Sequence, residues 1–280
     1  ATSKELLSAI PFINTRMNVP ALFAFSARVA LIKQDYARAA SEAQEAITRF
    51  PLGLTPRATY KDLWEPTATL AELDGEVIFK IDFQIGEPAI GEAYWGRQLN
   101  IVQWAPSNDI VSLYDQTNDV RFGAFFRLAG TVNQGDDVVY KYPGTAANPG
   151  LADPKIFRLS EVYLILAEAR ARGGVDGGDA AALLALNEVR AARIDGFVSP
   201  SESGVGLVNA IMRERRKELV FEGHRYIDLR RTGTPLVRVD CNATPGGCDA
   251  RTTGDFRYDY FAIPQSEIFA NENIVQNLGY

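Results

Sequence analysis

Residues 206–233 read GLVNAIMRERRKELVFEGHRYIDLRRTG, a stretch that combines a helical apolar pattern with dense charge. Val208, Ile211 and Leu219 recur at helical spacing, which predicts an amphipathic helix. Gly223 supplies a helix stop, because glycine adopts the left-handed geometry of a helix end at little cost. The stretch is therefore predicted to form a helix, a turn and a second short helical segment.

Several charged side chains of this stretch share a face with its apolar residues. Arg215, Glu218 and Glu222 lie on the same side as Ile211 in a helical projection. A charge inside a protein is costly unless it is paired, so we expect partners nearby. The stretch itself offers these: Arg216, His224, Arg225, Asp228, Arg230 and Arg231.

Two functional interpretations of the stretch compete with a structural one. A basic run can bind nucleic acid, and His224 could be catalytic. However, acids alternate with the bases, and no nucleophile adjoins His224, the only histidine of the chain. The pattern favours a helix–turn–helix held by internal ion pairs.

Composition narrows the possible classes of protein. The chain has 280 residues, 46% of them apolar, enough for one large core or two moderate ones. Its formal net charge of −6 argues against a nucleic-acid binder, which would present a basic face. No apolar run is long enough to cross a bilayer. The chain begins at Ala1 without a secretion signal, which we interpret as a trimmed form.

Two segments are predicted to form helical hairpins. Residues 21–50 make the first, in which Asp35 caps a second helix that resembles the start of a tetratricopeptide unit. The apolar positions of its first helix are Leu22, Phe25, Val29 and Ile32. The second hairpin comprises residues 158–172, apolar nearly all round, and a second helix that Asp179 caps and that runs to about Ile194. On its first helix, Glu161 and Glu168 are expected partners for Arg215 or Arg225.

The region between the hairpins differs in kind. Residues 76–85 alternate apolar and polar side chains, which predicts a half-buried strand. Residues 121–128 and 138–142 are expected to pair as a β-hairpin. The predicted fold class is therefore mainly α, with tetratricopeptide-like helical hairpins and a long loop and β-hairpin insertion. We interpret residues 1–280 as a single domain, divided into a helical hairpin 21–50, an insertion 51–153 and a helical C-terminal part 154–280.

One loop of the insertion is rich in aromatic and amide side chains. Sugar rings present apolar C–H faces and hydroxyls, and flat aromatic platforms with nearby hydrogen-bonding groups suit both. The candidate substrate-binding residues are Tyr94, Trp95, Arg97, Asn100, Gln103 and Trp104. The alternative is that these aromatic rings fold back onto the core as a lid.

Other kinds of site are poorly supported by the sequence. The best carboxylate clusters lie beside arginines, which favour the ionised form and therefore disfavour a glycosidase acid. No phosphate-binding loop and no nucleophile elbow is present, so we expect no catalytic residue and no cofactor. One histidine and two cysteines are too few for an ordinary zinc site, so we expect no metal site. Cys241 and Cys248 enclose a turn-rich loop and are expected to form a disulfide, with two free thiols or a metal half-site as alternatives.

Several motifs, in order, resemble the SusD/RagB family. ERRKELVFEGHRYIDLRR, from Glu214 to Arg231, is similar to the family signature, and RLSEVYLILAEA from Arg158 is similar to its buried helix. Lys141-Tyr142 and the ending from Gln276 match further landmarks. The resemblance covers nearly the whole chain. Family members usually carry a further N-terminal part, including a lipidated cysteine, which this chain lacks.

The resemblance implies a function. Members are lipoproteins of the bacterial outer membrane, exposed at the cell surface, which bind glycans for nutrient uptake without catalysis. The expected partners are an oligosaccharide or polysaccharide and a SusC-like TonB-dependent transporter for carbohydrate transport, with no nucleic acid. Membrane attachment would need a lipid anchor that this chain does not carry. The rival interpretation is a helical-repeat adaptor that binds a protein or peptide.

Overall fold

The computed structural model describes residues 12–65, 75–95, 102–128, 137–145, 147–238, 260–278 and 280, without the side chain of Trp95. The architecture is mainly helical, with two short two-stranded sheets, which confirms the predicted fold class. Within the described residues, no helix is both long enough and apolar enough to cross a membrane.

The first predicted hairpin consists of α1 (Val19–Ile32) and α2 (Tyr36–Arg49). Asp35 caps α2 as expected, since its carboxylate accepts a hydrogen bond from the Arg38 amide at 3.2 Å. The apolar positions named for α1 do not form its buried face: Phe25 is 53% exposed, and small residues such as Ala24 and Ala27 are buried. Alanines let the two helix backbones approach closely, so the small side chains face the partner helix.

The second hairpin consists of α6 (Leu159–Gly173) and α7 (Gly178–Arg193), and α6 packs against α2, α7 and the later helix α8 (Gly204–Glu218). These contacts produce a largely aliphatic helical core. The predicted cap of α7 is wrong, because Gly177 occupies the N-cap position. Asp179 accepts a hydrogen bond from the Gly204 amide at 2.6 Å and so ties the start of α8 to α7.

The chain between α2 and α6 supplies the remaining elements, and all of them except β4 lie within the insertion. They are a 3-10 helix (Arg57–Leu63), β1 (Val77–Lys80), α3 (Glu92–Trp95), α4 (Asn108–Val111), α5 (Val120–Phe125), β2 (Phe126–Arg127), β3 (Val138–Val139) and β4 (Lys155–Arg158). β1 pairs with β4 and β2 pairs with β3, both antiparallel.

Both predicted strand regions are shorter than expected. The strand predicted over residues 76–85 ends at Lys80, and Ile85 is 79% exposed. The predicted hairpin exists only as β2 and β3, because the chain from Val120 to Phe125 is helical. Alternating apolar residues need a pairing strand to become a sheet, and β4 matches only the first part of the run.

A second hydrophobic core, here called the aromatic cluster, lies within the insertion and reaches the turn after α8. Its buried members are Tyr60, Leu63, Trp64, Val77, Ile110, Tyr114, Ala124, Phe125, Phe126, Tyr142 and Val220. Several rings meet edge to face, such as Trp64 on Phe125 at 5.5 Å between centroids. Such pairs stabilise beyond the area they bury.

Charged side chains of residues 206–233 are buried against this cluster. Glu218 is fully buried and forms ion pairs with Arg158 at 2.7 Å, Arg121 at 3.1 Å and Arg193 at 3.1 Å. The Arg193 guanidinium also lies 4.0 Å from the centre of the Tyr60 ring. We call the following side chains the buried charge network: Glu76, Asp119, Arg121, Lys141, Arg158, Arg193, Glu214, Lys217, Glu218 and Glu222.

The expected burial of charge is confirmed, but the partners of Glu218 were wrongly predicted. Among the residues that the structure describes, none of the arginines that pair with Glu218 comes from residues 206–233. The Arg215–Glu168 pair is confirmed at 3.8 Å. Glu161 pairs with Arg28 at 2.6 Å. Ion pairs of residues 206–233 therefore connect this stretch to segments that are distant in the sequence.

Contacts divide the chain into two compact units, Ala1–Glu222 and Gly223–Tyr280. The second unit contains α9 (Arg225–Arg231), in which Asp228 pairs with Arg231 at 2.7 Å, and α10 (Gln265–Ala270). Helix, turn and helix follow one another as predicted, although α8 ends at Glu218 before the positive φ of Gly223 at 82°. The interpretation as one domain stays a prediction.

Candidate functional site

The aromatic loop, residues 94–104, starts from the short helix α3, whose position is fixed by two glycines. The Gly91 amide donates a hydrogen bond to the Gly150 carbonyl at 2.8 Å. A Cβ added at Gly91 would lie 1.7 Å from the Tyr142 carbonyl oxygen, so no other residue fits without a backbone shift. Close packing of two backbones therefore places the first residues of the loop beside Tyr142.

Tyr94 is held by other aromatic residues and serves as the anchor of the loop. Its ring centre lies 5.5 Å from that of Phe221 and 5.8 Å from that of Tyr142. Burial raises the pKa of the Tyr94 phenol, so the side chain is neutral at physiological pH. For this residue the lid alternative describes the geometry better than an open sugar platform does.

Trp104 has the opposite environment. Its side chain is 62% exposed, whereas its backbone is fixed, because the amides of Gln103 and Trp104 both donate to the Ala93 carbonyl at 3.0 Å. Gln103 is exposed beside it. The loop thus closes on the end of α3 and presents an indole ring and a side-chain amide to solvent.

The structure brings Tyr94, Gln103 and Trp104 into one loop but gives them different roles. Arg97 and Asn100 lie outside the described residues, as does the side chain of Trp95. Cys241 and Cys248 also lie outside them, so the disulfide stays a prediction.

Two residues that support the loop were not included among the candidates. Tyr142 and Phe221 hold Tyr94, and the Tyr142 hydroxyl donates a hydrogen bond to the Phe221 carbonyl at 2.9 Å. Phe221 has a φ of 59°, uncommon for a bulky residue. Tyr142 was visible in the sequence as part of the Lys141-Tyr142 landmark, whereas nothing in the sequence pattern marks Phe221 as a contact of this loop.

The buried carboxylates are unsuited to acid catalysis. Three arginines (Arg193, Arg158 and Arg121) hold the pKa of Glu218 well below its usual range, despite an opposing effect of burial. A glycosidase acid must instead keep its proton near neutral pH. Glu222 forms ion pairs with Lys141 and Arg158, both at 2.6 Å, so it too is part of the packing.

We found no group of three or more histidine, cysteine or carboxylate side chains placed to hold a metal ion among the residues that the structure describes. The exposed loop presents its own side chains to solvent. An indole face packs against apolar C–H groups, and the neighbouring amide of Gln103 donates and accepts hydrogen bonds.

Comparisons with known proteins identify similar chains. The chain is 27% identical to SusD-like protein P2 of Formosa agariphila, an alignment that covers 98% of this chain and 62% of that relative. A SusD superfamily protein of Bacteroides thetaiotaomicron has a similar structure, with a TM-score of 0.79 and 27% identity over 98% of this chain and 63% of that one.

Surface glycan-binding protein A of Bacteroides thetaiotaomicron, solved in complex with laminarihexaose, has the same fold. Its TM-score is 0.74 and its identity 22%, over 98% of this chain and 68% of that one. The chain thus spans about three fifths of the length of the first two relatives.

The model of the SusD family matches residues 131–280, which is more than half of the sequence. This match contains β3, β4, the hairpin of α6 and α7, and the helices α8 and α9. The chain therefore belongs to the SusD family.

Proposed function

We propose that this protein binds an oligosaccharide or polysaccharide without catalysis and that the aromatic loop is its glycan-contacting surface. The observation that carries the proposal is the environment of Trp104: an indole ring 62% exposed on a loop whose backbone is fixed at Ala93. A fixed, exposed ring binds a sugar face at a low entropic cost, because little needs to be ordered on association.

Family membership supports the same function. SusD-family proteins bind carbohydrates, and one protein of the same fold was solved with a β-glucan oligosaccharide, laminarihexaose. In this proposal, Trp104 stacks on a sugar ring, Gln103 bonds a hydroxyl, and Tyr94 holds the loop from beneath. Trp95, Arg97 and Asn100 are proposed as additional contacts within the same loop.

The lack of catalysis is proposed on chemical grounds. Glu218 and Glu222 are buried within ion pairs, and arginines stabilise the ionised form of Glu218. Neither carboxylate is suited to protonating a glycosidic oxygen.

The proposed setting is the surface of the outer membrane, where a SusC-like TonB-dependent transporter would receive the bound glycan. This rests on family membership alone. The expected order of events is capture by the aromatic loop, followed by release to the transporter.

Affinity electrophoresis through gels that contain a panel of polysaccharides tests the proposal, with laminarin and laminarihexaose as the first probes. At least one glycan should retard the wild-type chain. Trp104→Ala should weaken binding at least about tenfold, because a stacked indole buries a large apolar area. Phe25→Ala is the matched control, since Phe25 is a half-exposed ring on α1; we expect its binding to equal that of wild type.

Two results would contradict the proposal. Retardation that is equal for wild type and Trp104→Ala would move the glycan site away from this loop. If no glycan retards the wild-type chain while a protein partner binds it, the adaptor interpretation replaces glycan binding.

A further inference from the structure

A second surface feature lies in the first unit, outside the aromatic loop. A polar cavity of about 380 Å³ opens beside the 3-10 helix, the turn that precedes α5 and the end of α7. Its lining includes Arg57, Lys61, Gln116, Thr117, Asn118 and Asp195. The volume lies at the small end of the range of about 300–1,000 Å³ for ligand pockets, which suits a molecule of monosaccharide size.

The walls of the cavity are fixed by hydrogen bonds that do not involve the side chains of Lys61, Gln116 and Thr117. The Asp115 carboxylate accepts from the amides of Thr117 and Asn118 at 2.9 and 3.0 Å and from the Asn118 side chain at 2.8 Å. The Asp195 amide donates to the Asn118 carbonyl at 2.8 Å and joins the turn to the end of α7. The cavity is therefore largely preformed.

The lining holds two cations and two anions, and both anions are engaged in ion pairs. Asp119, at its floor, is neutralised by Arg121 at 2.8 Å and by Lys217 at 2.7 Å. At the mouth, Arg57 pairs with Asp195 at 2.5 Å. Among the residues that the structure describes, no acid pairs with Lys61. The Lys61 ammonium group is thus available to an anion from outside.

The Lys61 side chain lies close to a glycine of α5. A Cβ at Gly123 would lie 3.0 Å from the Lys61 Nζ and 3.2 Å from its Cε. Any larger side chain on that face of α5 would crowd the ammonium group. The side chains of Gln116 and Thr117 add hydrogen-bonding groups to the same wall.

We propose that this cavity binds a small hydroxylated carboxylate, the chemistry of a sugar acid, with its carboxylate on Lys61. Gln116 and Thr117 would bond its hydroxyls, and a neutral sugar would lack the ion pair. The ligand could be a free sugar acid or a uronic acid residue within a saccharide, since both present the same group. The proposal is independent of glycan binding by the aromatic loop.

Isothermal titration with sodium glucuronate, using glucose and sodium acetate as comparisons, tests the inference. We expect glucuronate to bind with millimolar affinity and at least about tenfold more tightly than either comparison, because only glucuronate offers both the charge and the hydroxyls. Lys61→Met should weaken glucuronate binding about tenfold or more, since a charge-assisted hydrogen bond is lost. Lys33→Met, at an exposed lysine after α1, should leave it unchanged.

Two further variants test the direction of the effect. Asp195→Asn frees Arg57 from its ion pair at the mouth of the cavity and should tighten glucuronate binding. Gly123→Ala, which is compatible with helix α5, should weaken it by displacing the Lys61 ammonium. The methyl glycoside of glucuronate distinguishes the sources: binding equal to that of the free acid indicates a residue within a saccharide, and loss of binding indicates the free acid. Glucose binding as tightly as glucuronate, undetectable glucuronate binding, or equal affinities for Lys61→Met and Lys33→Met would overturn the proposal.

Discussion

Replacing Glu218 with glutamine tests whether buried charge holds the first unit together. The carboxylate is fully buried and accepts a hydrogen bond from the Tyr60 hydroxyl at 3.1 Å. It also pairs with three guanidinium groups, of which Arg158 is nearest at 2.7 Å. Glu218→Gln preserves the size of the side chain but removes its charge and turns an amide NH₂ toward arginine donors.

The size of the expected loss in stability depends on the ion pairs that the arginines retain. Removing one partner of a buried ion pair costs about 3–5 kcal/mol, because the remaining charge is left uncompensated. Here each arginine retains another acid: Arg121 pairs with Asp119, and both Arg158 and Arg193 pair with Glu76. We therefore expect the lower end of that range, a decrease of about 3 kcal/mol in the free energy of unfolding.

Urea denaturation at neutral pH measures this loss. With a slope of about 2 kcal/mol per molar urea, the midpoint should fall by about 1.5 M. Glu45→Gln is the matched control, because the Glu45–Arg49 pair at 2.8 Å lies on the surface and should contribute less than about 0.5 kcal/mol. If Glu218→Gln and Glu45→Gln shift the midpoint equally, the buried charge network does not stabilise the fold as we argue.

Three further predictions follow from the same geometry. Gly91→Ala should lower stability by at least about 2 kcal/mol, because its Cβ would lie 1.7 Å from the Tyr142 carbonyl oxygen; an unchanged thermal midpoint would contradict this. Because the pKa of Glu218 is lowered in the folded state, this carboxylate stabilises the fold above its ordinary pKa of 4.5, and the stabilisation declines as the pH falls below that value. Urea midpoints measured from pH 5 downward should therefore decrease, and a constant midpoint would count against the effect. Burial lowers the pKa of Lys141 to about 7 and that of Lys155 to about 8. Between pH 7 and pH 9 the unfolded chain therefore binds more protons than the folded chain, and the free energy of unfolding should rise with pH. A fall over that interval would refute the assignment.

Local sequence patterns predicted the helices well because a helix is specified by nearby residues. The apolar spacing of α6 and α8 and the cap at Asp35 needed no knowledge of the rest of the chain. The buried face of α1 was missed for a physical reason. Apolar spacing ranks Phe25 above Ala24, yet close contact between helix backbones selects the smaller side chain.

Tertiary pairing was beyond the reach of sequence patterns. The burial of Glu218 could be inferred from its place on the apolar face of α8, but Arg121, Arg158 and Arg193 come from three separate segments. A helical projection relates only residues of the same helix. The length of β1 was missed for the same reason, because a strand ends where its partner ends.

The candidate site was predicted as a set of residue types without their roles. Tyr94 and Trp104 are both aromatic and belong to one loop, so composition makes them equivalent. The structure separates them: Tyr94 packs on Phe221 and Tyr142, whereas Trp104 is exposed. Which ring is covered depends on the backbone contact at Gly91, a feature that no property of the aromatic residues themselves reveals.

The positions of the members of the buried charge network along the chain determine the order in which they are synthesised. A growing polypeptide emerges from its N-terminal end, so Arg121, Arg158 and Arg193 are all made before Glu218. Until α8 leaves the ribosome, those three guanidinium groups lack their shared counter-ion. The first unit therefore completes its folding only after Glu218 has been translated.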